Sequence, residues 1–241
     1  MRIGFRFRWI PFIAMLVVVL IGVELGQWQT RRAVQKQAIQ DTLARRQAAP
    51  FVTLTAAPVA PDEIEYRRVR VSGEFVRDWP LYLDNRPYQS QAGVYVLMPF
   101  KIAGSDMMVL VARGWAPRNA VDRARLPDYP TPRGQIEIEA VARRNPGRLL
   151  QLGAQQIKPG ALLQNLEIAE FTAASQFKLQ PFLLEQSGFA ATGPDQDQLV
   201  RDWPLPSSGI DKHRGYALQW YGLALTALLF FVITGFRRGT S

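Results

Sequence analysis

WIPFIAMLVVVLIGVEL, residues 9–25, and YALQWYGLALTALLFFVITGF, residues 216–236, decide the architecture of this chain. The first stretch is apolar except for Glu24 and can be extended to Trp28, close to the ~20 residues that a helix needs to cross a bilayer. The second carries only Gln219, Thr226 and Thr234 as polar side chains in its interior, and hydroxyls bond back to helix carbonyls. Arg2, Arg6 and Arg8 precede the first stretch, and Arg237 and Arg238 follow the second. The positive-inside rule then predicts both termini in the cytoplasm and the middle of the chain on the other face. A basic start before an apolar run is also the pattern of a cleaved signal peptide. No small-x-small cleavage site follows the run, and a second span closes the chain, so a retained anchor is the reading. No long Arg- and Ser-rich presequence precedes the anchor. The expectation is a bacterial inner (cell) membrane protein with a periplasmic domain.

The 241 residues leave room for one ordinary domain besides the spans. A hydrophobic content of 48% with 20% charge argues against disorder and against a purely polytopic membrane protein. The net charge of +9 and pI near 10.2 invite a nucleic-acid reading. Part of that charge lies beside the apolar ends, including Arg31 and Arg32, where it suits anionic membrane lipids. The topology therefore predicts no nucleic-acid partner. With no cysteine, disulfides, thiol catalysis and thiolate metal sites are excluded.

Outward from the spans, the plan is a basic cytoplasmic N-terminus (1–8), a transmembrane helix (9–28), a helical extension (29–49), a β-rich periplasmic domain (50–212), a second transmembrane helix (213–236) and a cytoplasmic C-terminus (237–241). Arg31 to Gln47 is rich in Gln, Ala, Arg and Lys, good helix formers that continue the first helix. Ala48 to Pro61 holds three prolines and reads as a linker or an irregular entry. From Tyr66 to Phe75 the chain alternates, with Val69 and Val71 on the buried side of a strand. Leu81 to Leu83 is a second, short strand. Gly93 to Ile102 and Met107 to Ala112 flank Ala103-Gly104-Ser105-Asp106, a hairpin signal. Gln135 to Val141 alternates again, and Pro181 to Glu185 is a last strand. Asn165 to Phe177 reads as a helix with Asn165 as its N-cap. Gly188 to Ile210 is loop-like. The predicted fold is thus two transmembrane α-helices flanking a mainly antiparallel β (α+β) domain, barrel- or sandwich-like.

The single histidine, His213, opens the second span. At 3.6 residues per turn, Tyr216 and Trp220 share its face. One reading is an interfacial aromatic belt. The other is a haem or metal ligand, since neutral imidazole is a common axial ligand. At the outer end of the first span, Trp28, Gln29, Arg32 and Lys36 are read as one face at the same membrane depth. A haem with its iron on His213 would set its propionates near Arg31 or Arg32, because arginine pairs well with carboxylates. Glu24, inside the first span, reads as snorkelling to the surface. Arg113-Gly114-Trp115-Ala116-Pro117 reads as a tight strand exit, either a turn with a core Trp or an exposed partner-binding tip. No HExxH, GxGxxG or P-loop is present.

These same residues resemble the surfeit locus protein 1 family of cytochrome c oxidase assembly factors. Leu25-Gly26-Gln27-Trp28-Gln29 with Arg32 and Lys36 is similar to the family's first-helix exit. Gly73, Phe75, Gly93 and Pro99 match its spaced strand residues. Val111-Ala112-Arg113-Gly114-Trp115-Ala116-Pro117 is similar to its V-N-R-G-W-V-P element, with Ala112 for the usual Asn. His213-Arg214-Gly215-Tyr216-Ala217-Leu218-Gln219-Trp220-Tyr221 is similar to its H-x-x-Y-A-x-x-W-F, with Tyr221 for Phe. Ile210 and Asp211 replace its Asn-rich approach to the histidine. The resemblance covers nearly the whole chain.

The resemblance implies a chaperone without turnover of its own. It would aid delivery of haem a to subunit I of haem-copper cytochrome c oxidase, or its stabilisation there. His213 would be the transient ligand of the haem iron, and Tyr216, Trp220, Trp28, Gln29 and Arg32 would surround the haem. Arg113, Gly114 and Trp115 become a functional element toward subunit I or other assembly factors. Two alternatives stay open: a scaffold for an oxidase intermediate that binds no haem, and a periplasmic enzyme with a carboxylate pair around Asp84, Asp106, Asp122 or Asp128.

Overall fold

A computed structural model describes residues 3–5, 7–119, 121–122, 125–147, 155–189, 197–204 and 209–238. Arg2, Arg6 and parts of the 188–210 loop lie outside the described residues, as do the side chains of Arg237 and Arg238. In chain order the elements are β1 (Ile3–Phe5), α1 (Trp9–Ala48), β2 (Val52–Thr53), α2 (Pro61–Ile64), β3 (Arg68–Phe75), β4 (Leu81–Leu83) and β5 (Gly93–Ile102). There follow β6 (Met107–Pro117), β7 (Ile136–Arg143), β8 (Leu162–Leu163), α3 (Ile168–Ser175), β9 (Lys178–Phe189), α4 (Ile210–Gly235) and β10 (Phe236–Arg238). They form two compact units, Met1–Leu43 with Leu205–Ser241, and Ala44–Pro204.

The first unit is a helix pair. Both α1 and α4 are long and apolar enough to cross a membrane, and in lipid a backbone must satisfy its own hydrogen bonds, which a helix does. Pro11 is tolerated because it lies in the first turn of α1, where no intrahelical N–H is needed. The buried residues of α1 are Gly22, Gly26, Gln29 and Ala33, spaced four, three and four apart to form one stripe. Ala217 and Ala224 face them from α4. Contact is backbone-close: a Cβ on Gly22 would lie 2.9 Å from the Trp220 carbonyl oxygen, and one on Gly26 would lie 2.6 Å from the Tyr221 ring. Small residues permit this approach, and packing rather than water exclusion holds helices together in lipid. The helices run antiparallel, so Phe7 and Phe12 meet Phe231, with ring centroids 6.1 and 5.6 Å apart. Next to them β1 and β10 pair antiparallel, Phe5 opposite Phe236, so both chain ends leave the pair at one end.

The second unit contains a closed barrel. β3, β7, β9, β6 and β5 are neighbours in that order, and β3 pairs again with β5 from Gly73–Ile102 to Phe75–Phe100. That seam needs glycine, since a Cβ on Gly73 would lie 2.0 Å from the Lys101 carbonyl oxygen. Most pairings are antiparallel; β6–β9 is a parallel exception. Val69, Val71 and Phe75 of β3 fill the barrel with Met98, Phe100, Val111, Ile138, Phe182 and Leu184, while Arg68, Arg70 and Glu74 face outward. A second layer of β4, β8 and α3 covers Leu97, Leu110 and Leu183 on the outer face of the barrel. Strands covered on both faces read as continuous apolar runs, which accounts for residues 94–100 and 107–112.

Two expectations are corrected. The helix α3 begins at Ile168, not Asn165, and Glu167 occupies its N-cap position without a side-chain cap bond. The chain stays extended there because Leu163 of β8 and Leu166 are both drawn into the second core. The β6 strand does not exit at Arg113 but continues to Pro117, paired with β5 on both sides of a register shift at Arg113. The entry to the unit is held by arginines: Arg67 and Arg68 donate to the carbonyls of Pro50 and Ala49, each at 3.2 Å, capping the free carbonyls beyond α1.

Candidate functional site

The helix pair contains one buried polar side chain among the described residues, Gln29, at 8% exposure. It lies between Gly26 and Ala33 on the stripe that meets α4. His213, in the first turn of α4, is half-buried and meets it. Its Nδ1 is 2.6 Å from the Gln29 Oε1. An amide oxygen only accepts, so Nδ1–H donates to it, and in the neutral ring the other nitrogen, Nε2, keeps its lone pair. The two ring nitrogens diverge, so Nε2 points away from Gln29. No described side chain bonds it.

Each helix residue turns by about 100° from the one before it, so residues that precede the contact stripe lie on one flank and those that follow lie on the other. On the following side, Thr30, Val34, Arg214 and Leu218 line an apolar cleft of about 490 Å³. Trp28 and Arg32 on α1, with Tyr216 and Trp220 on α4, therefore share the opposite flank, beside the His213–Gln29 pair. Trp28 is 47% exposed and Tyr216 52%, and Trp220 is half-buried. The sequence reading of one face through Trp28, Gln29 and Arg32 thus splits: Gln29 turns inward and the other two stay on the surface. Arg32 donates to Gln35 at 3.2 Å and Arg31 to Gln27 at 3.4 Å, and neither meets a carboxylate among the described residues. Glu24 is exposed, two residues from Gly22 and Gly26, so it faces away from α4.

In the sheet unit the Arg113-Gly114-Trp115 element is interior, which agrees with the core-Trp alternative and not with the exposed tip. Arg113 is fully buried and Trp115 is 5% exposed. Arg113 donates to the Thr131 hydroxyl (2.6 Å), the Pro130 carbonyl (3.0 Å) and the Asp197 carboxylate (3.0 Å), and its guanidinium stacks over Phe75 and Tyr129. Arg201 also pairs with Asp197. Gly114 admits the 197–200 segment, because a Cβ there would lie 2.7 Å from Leu199. Trp115 exchanges backbone bonds with Val200 and donates its indole N–H to the Arg86 carbonyl at 2.6 Å. The element therefore binds three loops to the barrel. Asp197 was missed in the sequence because nothing local distinguishes an aspartate 84 residues away.

The acids named for an enzyme do not converge. Asp84 pairs with Arg118, and Asp106 with Lys101 at 3.5 Å. Asp122 accepts the Arg125 amide through its backbone carbonyl. Asp128 lines an open cleft of about 770 Å³ with Glu74, Asp78 and Arg77, and Asp106 lines another of about 430 Å³ with Glu74 and Lys101. Among the described residues no group of three His, Asp or Glu side chains is arranged to hold a metal ion.

The profile of the SURF1 family matches residues 16–225, a range that takes in both helix contacts and the whole barrel. The chain belongs to the SURF1 family. A SURF1-like protein of Rickettsia felis is 28% identical over 228 residues, covering 92% of this chain and 95% of that protein. A SURF1-like protein of Monosiga brevicollis is 25% identical over 239 residues, covering 91% of this chain and 85% of its own. Human surfeit locus protein 1 is 31% identical over 140 residues, about half of each chain. SURF1 membership extends over both units, so the helix pair and the barrel are read as parts of one family architecture.

Proposed function

We propose that this chain is an assembly factor for haem-copper cytochrome c oxidase that holds haem a transiently on His213 and aids its delivery to, or stabilisation in, subunit I. The observation that carries the reading is the half-buried imidazole with Nδ1 bonded to Gln29 and Nε2 uncommitted. One side-chain ligand at the edge of a helix pair suits cargo that must be released. The exposed flank of Trp28, Tyr216 and Trp220 offers aromatic surface to a flat macrocycle, and Arg32 offers a cation to its propionates. Haem a is amphiphilic, and a site at the end of two membrane helices suits a molecule with an apolar tail and charged edge.

The membrane arrangement belongs to the same proposal. Both termini are cytoplasmic, the sheet unit is periplasmic, and the membrane is the bacterial inner membrane. The pairing of β1 with β10 at one end of the helix pair supports termini on one side, and Arg8 beside Trp9 supports the cytoplasmic assignment. Membrane lipids, subunit I and other oxidase assembly factors are the partners, and no turnover is assigned. Arg113, Gly114 and Trp115 act in this scheme by fixing the loops they bind, and contact a partner only through those loops.

The test is an optical spectrum of detergent-purified protein from cells that make haem a. Wild type carrying haem a, with the pigment lost in His213→Ala, is the expected result. No pigment in either, with subunit I still copurifying, would replace the proposal with a haem-free scaffold.

A further inference from the structure

We infer that Gln29 is a positioning residue: it fixes which nitrogen of His213 carries the proton, and so which nitrogen is available to iron. This rests on the haem-binding reading above and deepens it.

Free neutral imidazole exchanges between two tautomers, and only the nitrogen without a proton binds a metal. Second-sphere acceptors that hold the other N–H fix the tautomer and the ring plane, and raise the basicity of the ligating nitrogen. Gln29 meets the requirements of such an acceptor. Its oxygen is 2.6 Å from Nδ1. It sits in the contact stripe between two helices, with a glycine one turn before it and a buried alanine one turn after. The bulky neighbours on α1, Trp28 and Arg32, point to the flank, so nothing large competes for the space facing His213. An amide buried in this interface without a partner would be costly, and the His213 ring is the partner it has. Holding Nδ1 turns Nε2 away from the helix contact. The family match alone does not assign this role, and the sequence reading counted Gln29 among direct haem contacts. The structure assigns it a role one step removed, through the imidazole.

A purely structural bond between helices predicts different outcomes. Ionised glutamate accepts and cannot donate, whereas leucine does neither. If Gln29 acts as an acceptor, Gln29→Glu keeps the tautomer and Gln29→Leu releases it. Because His213 is the single histidine in the chain, nitrogen-15 histidine labelling gives a spectrum of this residue alone.

The experiment records that spectrum on the full-length apo-protein in detergent or nanodiscs, at a pH where the ring is neutral. It then measures haem a affinity on the same samples. The expected result is an unprotonated Nε2 in wild type and Gln29→Glu, and a shift to the Nε2–H form in Gln29→Leu. Haem affinity should fall by about 10- to 100-fold in Gln29→Leu and return in Gln29→Glu. An unprotonated Nδ1 in wild type, or an unchanged tautomer in Gln29→Leu, overturns the inference. The parent reading fails separately: if the tautomers behave as expected and no variant binds haem a, Gln29 positions His213 for some other purpose and the haem proposal is lost.

Discussion

The two units differ in how many partners their buried polar groups engage. In the barrel, Arg113 has three hydrogen-bond partners and two aromatic faces, and Gln180 reaches Val59, Thr55 and Ala57 across the chain. Among the described residues Gln180 is saturated and Arg113 leaves only its Nε without a partner, which suits a fixed core. Among the described residues of the helix pair the one buried amide has a single side-chain partner, and that partner, His213, keeps one nitrogen uncommitted. A buried guanidinium tied to three partners holds its shape, whereas a half-used imidazole at an exposed flank can bind and release. The difference separates the region that holds the molecule together from the region proposed to carry cargo.

The comparison breaks most severely at Arg113. Arg113→Ala leaves Asp197 buried beside Arg201 alone and unties the 129–131 and 197–201 loops; a loss of about 3–5 kcal/mol is expected, read as a lowered thermal midpoint of the full chain in detergent. Next comes pH. Burial pushes Glu185 up to about 7 from 4.5, opposed by Arg143 at 3.8 Å. A carboxyl raised in this way stabilises the fold while protonated. The contribution is full below about pH 4.5 and is lost as pH rises through about 7. The total is on the order of 3 kcal/mol, and Glu185→Gln should flatten the profile; a slope unchanged in that variant would assign it to other groups.

Smaller effects sharpen the helix side. Gly26→Val meets the Tyr221 ring, and overpacking of about 1–3 kcal/mol should part the His213–Gln29 pair. Haem retention should drop by about fivefold or more at that cost, with the melting of the sheet unit unmoved. Arg32→Gln removes a cation from the exposed flank, and a change below about 1 kcal/mol is expected, measured as a weaker salt dependence of haem retention.

Much of the fold was legible locally. The two apolar stretches fix both long helices. The alternation Val69, Val71 against Arg68, Arg70 fixes β3, and Ala103-Gly104-Ser105-Asp106 fixes the β5–β6 hairpin. Barrel closure was not legible, because the Gly73 seam and the parallel β6–β9 pairing depend on partners far along the chain. Arg113-Gly114-Trp115-Ala116-Pro117 misled for a related reason: Gly and Pro mark exits locally, but here Gly114 makes room for Leu199 and the strand continues. At the candidate site, the shared flank of His213, Tyr216 and Trp220 follows from helical spacing alone. The inward turn of Gln29 does not, since neighbouring Trp28 and Gln29 differ by about 100° and only the packed partner decides which one faces it.

The most direct measurement is a titration of purified apo-protein with haem a, comparing wild type, His213→Gly, and His213→Gly with added imidazole. The account predicts saturable binding by wild type, loss in the variant, and recovery when imidazole replaces the missing ring. Equal binding by wild type and variant without imidazole would contradict His213 as the ligand and remove the basis for the carrier function.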